Sequence, residues 1–312
     1  MRIVISEFMD EAAVASLAAQ HDTVYDKGLC DRPDGLRAAV APADALIVRN
    51  RTQVDAGLLA AAPALKVVGR LGVGLDNIDV DACRVRGIDV IPATGANALA
   101  VAEYVIGTAM VLLRGAYAST AAVASGEWPR AALSNGRELA GKTLGIVGFG
   151  GIGRLAGRLG RAMGMRVTGC DVQIPASAAV WNDEGVECRT LDALLAGADV
   201  VTLHVPLVAA TRHLIDAARL AQMKAGAILV NTARGGVVDE AAVAAALRAG
   251  HLGGAALDVF EREPLPAGSL LAGCPNLVLT PHVAGVTAES NVRVSTLVAE
   301  KVAQALLQRA AR

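Results

Sequence analysis

Short β-branched runs alternate with alanine-rich stretches of helical length along nearly the whole chain, and no other feature constrains the fold as much. Arg2–Ile5, Thr23–Asp26, Ala45–Val48, Leu65–Gly69 and Ile88–Ile91 read as strands; Asp10–Ala19, Pro33–Val40, Ala56–Ala61 and Val80–Arg86 read as helices between them. Strand and helix in strict alternation give parallel strands, because each crossover returns the chain to the same edge, and the helices then cover both faces. A second series starts at Lys142, with strands expected near Thr143–Val147, Arg166–Cys170, Val200–His204, Ala227–Asn231, Ala255–Leu257 and Val278–Leu279. Between the series one long helix is predicted from Ala98 to about Val123, apolar nearly all round at its start and so buried on several sides. A closing helix from Glu289 to about Arg309 repeats Val294, Leu297, Val298, Val302 and Leu306 at three- and four-residue steps. The fold class is α/β, in two modules of unequal size.

The second series opens on Leu144-Gly-Ile-Val-Gly-Phe-Gly-Gly-Ile-Gly153. In a chain with 33 glycines a bare G-x-G-x-x-G says little, but here a strand precedes it, a helix follows, and the next strand ends in Asp171. Gly148 permits the tight turn, Gly150 lets the backbone approach a pyrophosphate, and Gly153 allows close helix–strand packing. The helix start offers N–H groups and partial positive charge to the phosphates. A carboxylate at Asp171 suits the adenosine ribose and repels a 2′-phosphate, and Val172 and Gln173 supply no replacement cation. NAD is therefore expected over NADP.

Three loops that follow strands in this module carry residues able to read a small anion and move a proton. Arg234, in Asn231-Thr-Ala-Arg-Gly-Gly236, sits at a strand's carboxyl end, where open α/β sheets bind ligands, and a guanidinium grips a carboxylate at two points. Glu263 lies in Asp258-Val-Phe-Glu-Arg-Glu-Pro264 and His282 in Thr280-Pro-His-Val-Ala-Gly285. An imidazole beside a carboxylate keeps its proton more readily, as a proton donor to a carbonyl oxygen must. His204, ending an apolar strand, is read as lining the cofactor cleft, whereas His21, His213 and His251 are read as surface residues. No HxxxH or HExxH spacing exists, and no metal is expected. In the first module Leu71-Gly-Val-Gly-Leu-Asp76 is a glycine turn whose N–H groups suit an anion. Arg49 and Arg51 lie on one face if their strand continues, and suit either a distal anion on the substrate or solvent at a sheet edge.

Composition removes other classes. Apolar residues make up 54% and charged residues 19%, which excludes disorder. The 29 basic and 30 acidic residues cancel to a net charge of −1 with no basic arm, so neither nucleic acid nor an anionic membrane is an expected partner. Acidic residues within the first ten positions exclude a signal peptide, and the longest apolar stretch, Ala98–Leu113, is too short to span a bilayer and carries Glu103. The 5 cysteines have no metal-type spacing, and a reducing cytoplasm is the expected compartment.

The segments GFGGIG…CD, NTARGGVVDE, DVFEREP and PHVAG together resemble the D-isomer-specific 2-hydroxyacid dehydrogenases. VRNRT, GVGLDNID and NALAVAEYVIG resemble the phosphoglycerate dehydrogenase branch of that family, and the opening VISEFMDEAAV resembles enzymes that oxidise sulfolactate. The resemblance covers nearly the whole chain. It implies two doubly wound parallel-sheet domains, a Rossmann NAD-binding domain (97–286) inserted into a flavodoxin-like substrate domain (1–96 plus 287–312). It also implies that Arg234 binds the substrate carboxylate and carbonyl, that His282 is the acid/base, and that Glu263 holds His282 protonated. Val73 and Gly74 would offer N–H groups to the carboxylate, Val73 also touching the cofactor, and Arg49 and Asn50 would face the far end of the substrate. Gly151 and Ile152 would touch the pyrophosphate; Val205, Pro206, Thr232 and Ala233 would line the cofactor cleft. Asp258 would lie near the nicotinamide amide with Gly285 beside it. The long helix from Asn97 would form a homodimer interface. Glu263 in place of glutamine disfavours a formate dehydrogenase-like role, and the end of the chain just after its last helix leaves no regulatory domain for serine feedback. Phosphoglycerate, sulfolactate and glycerate or hydroxypyruvate remain as substrates, and an NAD-sensing binding protein of the corepressor type is the alternative of another class.

Overall fold

The computed structural model describes residues 1–310. The final two positions of the expected substrate domain, 311 and 312, lie outside the described residues. The chain forms two compact units: one is Met1–Asn97 with Val286–Arg312, the other Ala98–Gly285. Asn97 and Val286 thus belong with the first unit rather than with the Rossmann domain, where the resemblance puts them.

The first unit is built on β1 (Arg2–Ile5), β2 (Asp22–Tyr25), β3 (Ala45–Val48), β4 (Val67–Arg70) and β5 (Asp89–Pro92). They form one parallel sheet in the order β2-β1-β3-β4-β5, the flavodoxin-like order. Helices α1 (Glu11–Ala18), α2 (Pro33–Val40), α3 (Ala56–Ala60) and α4 (Val80–Val85) connect the strands. β3 is buried along its whole length, as its unbroken ALIV run requires of a central strand.

The second unit begins with α5 (Ala98–Arg114) and α6 (Thr120–Ala124). Its sheet comprises β6 (Thr143–Val147), β7 (Arg166–Cys170), β8 (Glu187–Cys188), β9 (Val200–Leu203), β10 (Ala227–Asn231), β11 (Leu252–Leu257) and β12 (Leu277–Leu279). The connecting helices are α7 (Gly151–Ala162), α8 (Ala179–Asp183), α9 (Leu191–Gly197), α10 (Ala217–Gln222) and α11 (Glu240–Arg248). The order β12-β11-β10-β9-β6-β7-β8 reverses at β6 and β9, the switch point of a dinucleotide-binding sheet. After the second unit the chain re-enters the first as α12 (Ala288–Ala310), whose Val294, Val298, Val302 and Leu306 pack on the sheet beside Ile3, Ile5, Ile47 and Val67.

The long helix expected over 98–123 is broken. Gly115 adopts φ +67° and stops α5, and the following helical segment, Tyr117–Ala124, is turned by 69°. A glycine in the left-handed region just past the last turn is a helix stop that alanine-rich flanks conceal. β11 begins at Leu252 rather than 255, because Gly253 and Gly254 are strand residues chosen for contact: a Cβ on Gly253 would come within 2.3 Å of the Gly226 carbonyl oxygen. No single helix among the described residues is long and apolar enough to cross a membrane.

Both units tie the amino edge of their sheets in the same way. Asp44, before β3, accepts the Arg2 N–H that starts β1 (2.8 Å) and pairs with Lys66 before β4 (2.7 Å). Asp199, before β9, accepts the Thr143 N–H that starts β6 (2.8 Å) and pairs with Lys224 before β10 (2.8 Å). Burial pushes both carboxyls up, but the lysine and the backbone N–H outweigh it and hold them below the usual carboxylate range.

The fit of α12 over β4 depends on Gly69, where an added Cβ would stand 2.8 Å from methyl groups of both Val298 and Val302. Gly69→Ala is expected to destabilise the protein by about 1–3 kcal/mol through overpacking, read as a lower urea midpoint.

Candidate active site

The carboxyl ends of β10, β11 and β12, adjacent in the sheet, deliver Arg234, Glu263 and His282 through their following loops. His282 Nδ1 and Glu263 Oε2 are 2.8 Å apart, and the other Glu263 oxygen accepts the Phe260 N–H at 3.0 Å. The pair is open to solvent, with side-chain exposures of 48% and 38%. The backbone of His282 lies at φ +56°, in the left-handed region that costs a β-carbon-bearing residue strain. Its N–H is held by the Asp258 carbonyl at 2.8 Å. Arg234 joins this group through its neighbour: a Cβ on Gly235 would lie 1.7 Å from the Phe260 carbonyl oxygen, so the Arg234 loop rests directly on the Glu263 loop. Buried Asn231 braces the turn, accepting the Ala233 N–H (3.0 Å) and donating to the Arg234 carbonyl (3.1 Å).

Asp258 is buried and faces the His282 loop. It accepts the Thr280 hydroxyl (2.6 Å) and the Val283 and Ala284 N–H groups (2.8 Å each). Because the Thr280 hydroxyl donates to Asp258, it accepts from Tyr104 on α5, 2.6 Å away. Tyr104, Thr280 and Asn231 are supporting residues that the motifs alone did not single out. Nothing in the spacing marks Tyr104, although tyrosine is rare here, with 3 in the chain.

At the switch point, Gly148 has φ +92° and lies against the carbonyl of His204, where a Cβ would come within 2.5 Å. Gly153 presses on the Gly148 carbonyl, where a Cβ would come within 2.4 Å. At Gly150 and Gly151, by contrast, an added Cβ would meet nothing within 4 Å, so the start of α7, with Ile152 in its first turn, opens onto space. Asp171 follows β7 and accepts the Phe149 N–H of the glycine turn (2.8 Å) and the Gln173 N–H (2.7 Å), one on each oxygen. Thr232, after β10, keeps a buried hydroxyl oxygen without a hydrogen-bond partner beside buried Ala233. An open helix start, an acid at the next strand end and an orphan hydroxyl fit a dinucleotide. His204 lies within 3.1 Å of the Thr202 hydroxyl, and burial drives its pKa down to about 4, so the imidazole is neutral at physiological pH. Val205 and Gly285 are half-buried and Pro206 exposed. Of the other histidines, His213 pairs with exposed Glu261 at 3.0 Å and half-buried His251 bonds the Leu220 carbonyl at 2.9 Å. Among the described residues no group of His, Cys, Asp and Glu could hold a metal.

In the first unit the chain turns sharply after β3, and Arg49 and Arg51 part company. Arg49 lies 5.7 Å over the Phe8 ring and donates to Asn291 Oδ1 at 2.7 Å, whereas Arg51 pairs with Asp31 at the exposed surface. Asn50 is exposed. Val73 and Gly74, in the glycine turn after β4, donate no backbone hydrogen bond among the described residues.

Residues 106–284 match the family model described as D-isomer specific 2-hydroxyacid dehydrogenase, NAD binding domain. The chain belongs to that family. It is 56% identical over 309 residues to the (S)-sulfolactate dehydrogenase of Chromohalobacter salexigens, covering 99% of each chain. It is 44% identical to the D-3-phosphoglycerate dehydrogenase of Mycobacterium bovis over 97% of this chain, which spans only 56% of that protein. The crystal structure of the TT0316 protein of Thermus thermophilus superposes with a TM-score of 0.89 at 34% identity, covering 99% of this chain and 97% of that one. The protein is an NAD-dependent 2-hydroxyacid dehydrogenase.

Two outcomes follow from this geometry. Gly235→Ala drives a methyl into the Phe260 carbonyl and shifts the Arg234 and Glu263 loops apart; kcat/KM is expected to fall by about 10² while NADH affinity, measured by fluorescence titration, holds. His204 is protonated below about 6.5 when unfolded but only near about 4 when folded, so stability drains away as pH falls across that window and is unaffected above it. His204→Gln is expected to flatten that part of a plot of urea midpoint against pH.

Proposed function

We propose that this dehydrogenase acts on a small 2-hydroxy acid with a second, distal anionic group, and that 3-sulfolactate is its substrate. The observation that carries the reading is the 56% identity, over 99% of both chains, to a (S)-sulfolactate dehydrogenase. Arg49 supports it as a half-buried cation held in place by Phe8 and Asn291. Burial lowers its pKa, the nearby Glu7 carboxylate opposes this, and a guanidinium so placed keeps its charge.

In this reading Arg49 and Asn50 take the distal sulfonate, the Val73 and Gly74 N–H groups take the carboxylate, and Arg234 grips the carboxylate and C2 oxygen. Met1–Asn97 with α12 is then the substrate domain. Bound NAD would supply the hydride acceptor for the C2 hydrogen. Neutral His282 takes the hydroxyl proton in oxidation, and Glu263, 2.8 Å from its ring, stabilises the imidazolium that results. In reduction the same imidazolium returns the proton to the C2 oxygen, and the Arg234 guanidinium answers the negative charge that develops there. Gly150, Gly151 and Ile152 would hold the pyrophosphate and Asp171 the ribose, and His204, Val205, Pro206, Thr232, Ala233 and Gly285 would line the cofactor cleft. Leu99, Met110 and Val111 on α5 are apolar and exposed, at 41%, 38% and 37%, which supports a homodimer through that helix. A cytoplasmic location agrees with five unpaired cysteines.

The test is NADH formation with both enantiomers of 3-sulfolactate, D-3-phosphoglycerate, D-glycerate, glycolate and D-lactate. Saturable turnover of one sulfolactate enantiomer is expected. Preference for phosphoglycerate moves the enzyme to the second relative's activity, and preference for glycerate or glycolate removes the distal-anion role of Arg49. His282→Ala is expected to lose about 10²–10⁴ in turnover while still binding NADH.

A further inference from the structure

Glu7 sits just beyond β1, 3% exposed, and turns its carboxylate into the bend that follows β3. Four consecutive backbone N–H groups converge on it: Arg49 and Thr52 donate to Oε1 at 2.8 and 3.0 Å, Asn50 and Arg51 to Oε2 at 3.2 and 3.0 Å. Such a run of convergent amides is an anion nest, and here one of the protein's own side chains fills it. The neighbouring contacts pin the same bend: the Ser6 and Thr52 hydroxyls lie 2.8 Å apart, and Asn77 donates to the Thr52 carbonyl at 2.7 Å. Burial alone would raise the Glu7 pKa, but the four N–H bonds, that of Thr52 foremost, outweigh it and keep the carboxyl below its usual range.

The bend has no regular secondary structure of its own, so the direction in which Arg49 and Asn50 leave the backbone depends on those four bonds. We propose that Glu7 is a positioning residue that fixes the Arg49–Thr52 bend and thereby sets the affinity for the distal anion of the substrate. Glu7 does not meet the substrate. It holds the loop's amides on an internal charge, which leaves the substrate's anion to be read by the Arg49 guanidinium rather than by the backbone. The proposal rests on the reading that Arg49 contacts the substrate.

The experiment compares Glu7→Gln, Glu7→Asp and Arg49→Ala in the full-length enzyme, measuring KM for the best acid substrate, KM for NAD, kcat and Tm. Glutamine keeps the shape of Glu7 but turns an NH2 toward amides that need an acceptor; aspartate keeps the charge and shortens the reach. Glu7→Gln is expected to raise KM for the acid roughly tenfold or more, with KM for NAD unchanged and kcat changed less. Glu7→Asp is expected to recover part of that KM although it alters the shape more. The reverse order, with glutamine better than aspartate, means that Glu7 only fills space and overturns the proposal. So does a lower Tm with an unchanged KM for the acid. If Arg49→Ala itself leaves KM for the acid unchanged, the substrate reading has failed and the proposal falls with it; if Arg49→Ala raises KM and Glu7→Gln does not, the positioning role alone is wrong.

Discussion

The His282 loop depends on a buried carboxylate that the loop itself must satisfy. Asp258 carries its charge into the protein interior, where an unmatched carboxylate would cost several kcal/mol, and the Thr280 hydroxyl with two successive N–H groups supplies the match. The chain presents those donors while passing through His282 in the left-handed conformation, worth about 1–3 kcal/mol of strain for a residue with a β-carbon. The strain at His282 is thus offset by the hydrogen bonds that hold its neighbours. Tyr104 extends the same chain of bonds to α5, so the imidazole's position is set from the core outward and Glu263 need only orient the ring.

How much of this could be read from residues alone follows from where the determining contacts lie. The sheets were legible, because a parallel strand buried on both faces must be an apolar run, and β3 and β10 are buried at every position. The glycine turn was legible because Gly148 and Gly153 answer local needs, the approach of neighbouring backbone to within a Cβ's reach. Arg234, Glu263 and His282 were legible as charged residues at strand ends. What escaped were features set by distant partners. Gly115 ends α5, yet it looks like any small residue in an alanine-rich run. β8 spans only Glu187–Cys188 and shows no alternation to read. Glu7 meets amides more than forty positions away, and Tyr104 meets Thr280 across 176 positions, separations over which no sequence period operates.

Asp258 is placed like a ligand-binding carboxylate yet spends its oxygens on its own chain. A carboxylate just after a strand at the binding edge of a sheet invites a ligand-binding role, and Asp171 occupies an equivalent place after β7. The two differ in what surrounds them. Asp171 gives each oxygen one backbone N–H and is only half-buried, so each oxygen can accept a further bond from a ribose hydroxyl. Asp258 is buried and turns both oxygens to the residues after β12. The same residue type at the same edge therefore keeps acceptor sites open or spends them on its own chain, according to whether the following loop folds back over it.

Across the molecule the choice of counter-charge follows the edge of the sheet. At the amino edges Asp44 and Asp199 meet lysines as well as a backbone N–H, an arrangement that solvent near a sheet edge tolerates and that ties adjacent strands. At the carboxyl edges Glu7 and Asp258 are satisfied by backbone amides and one hydroxyl, with no arginine or lysine paired to them among the described residues. Had Glu7 been matched by the Arg49 guanidinium in place of the bend's amides, that charge would be neutralised where, on the proposed function, a substrate anion is read. Satisfying the internal carboxylate with N–H groups instead keeps the Arg49 charge available, while Phe8 and Asn291 fix its place without cancelling it. An acidic residue beside a binding loop can in this way increase the loop's capacity for anions, because what it draws on is the backbone.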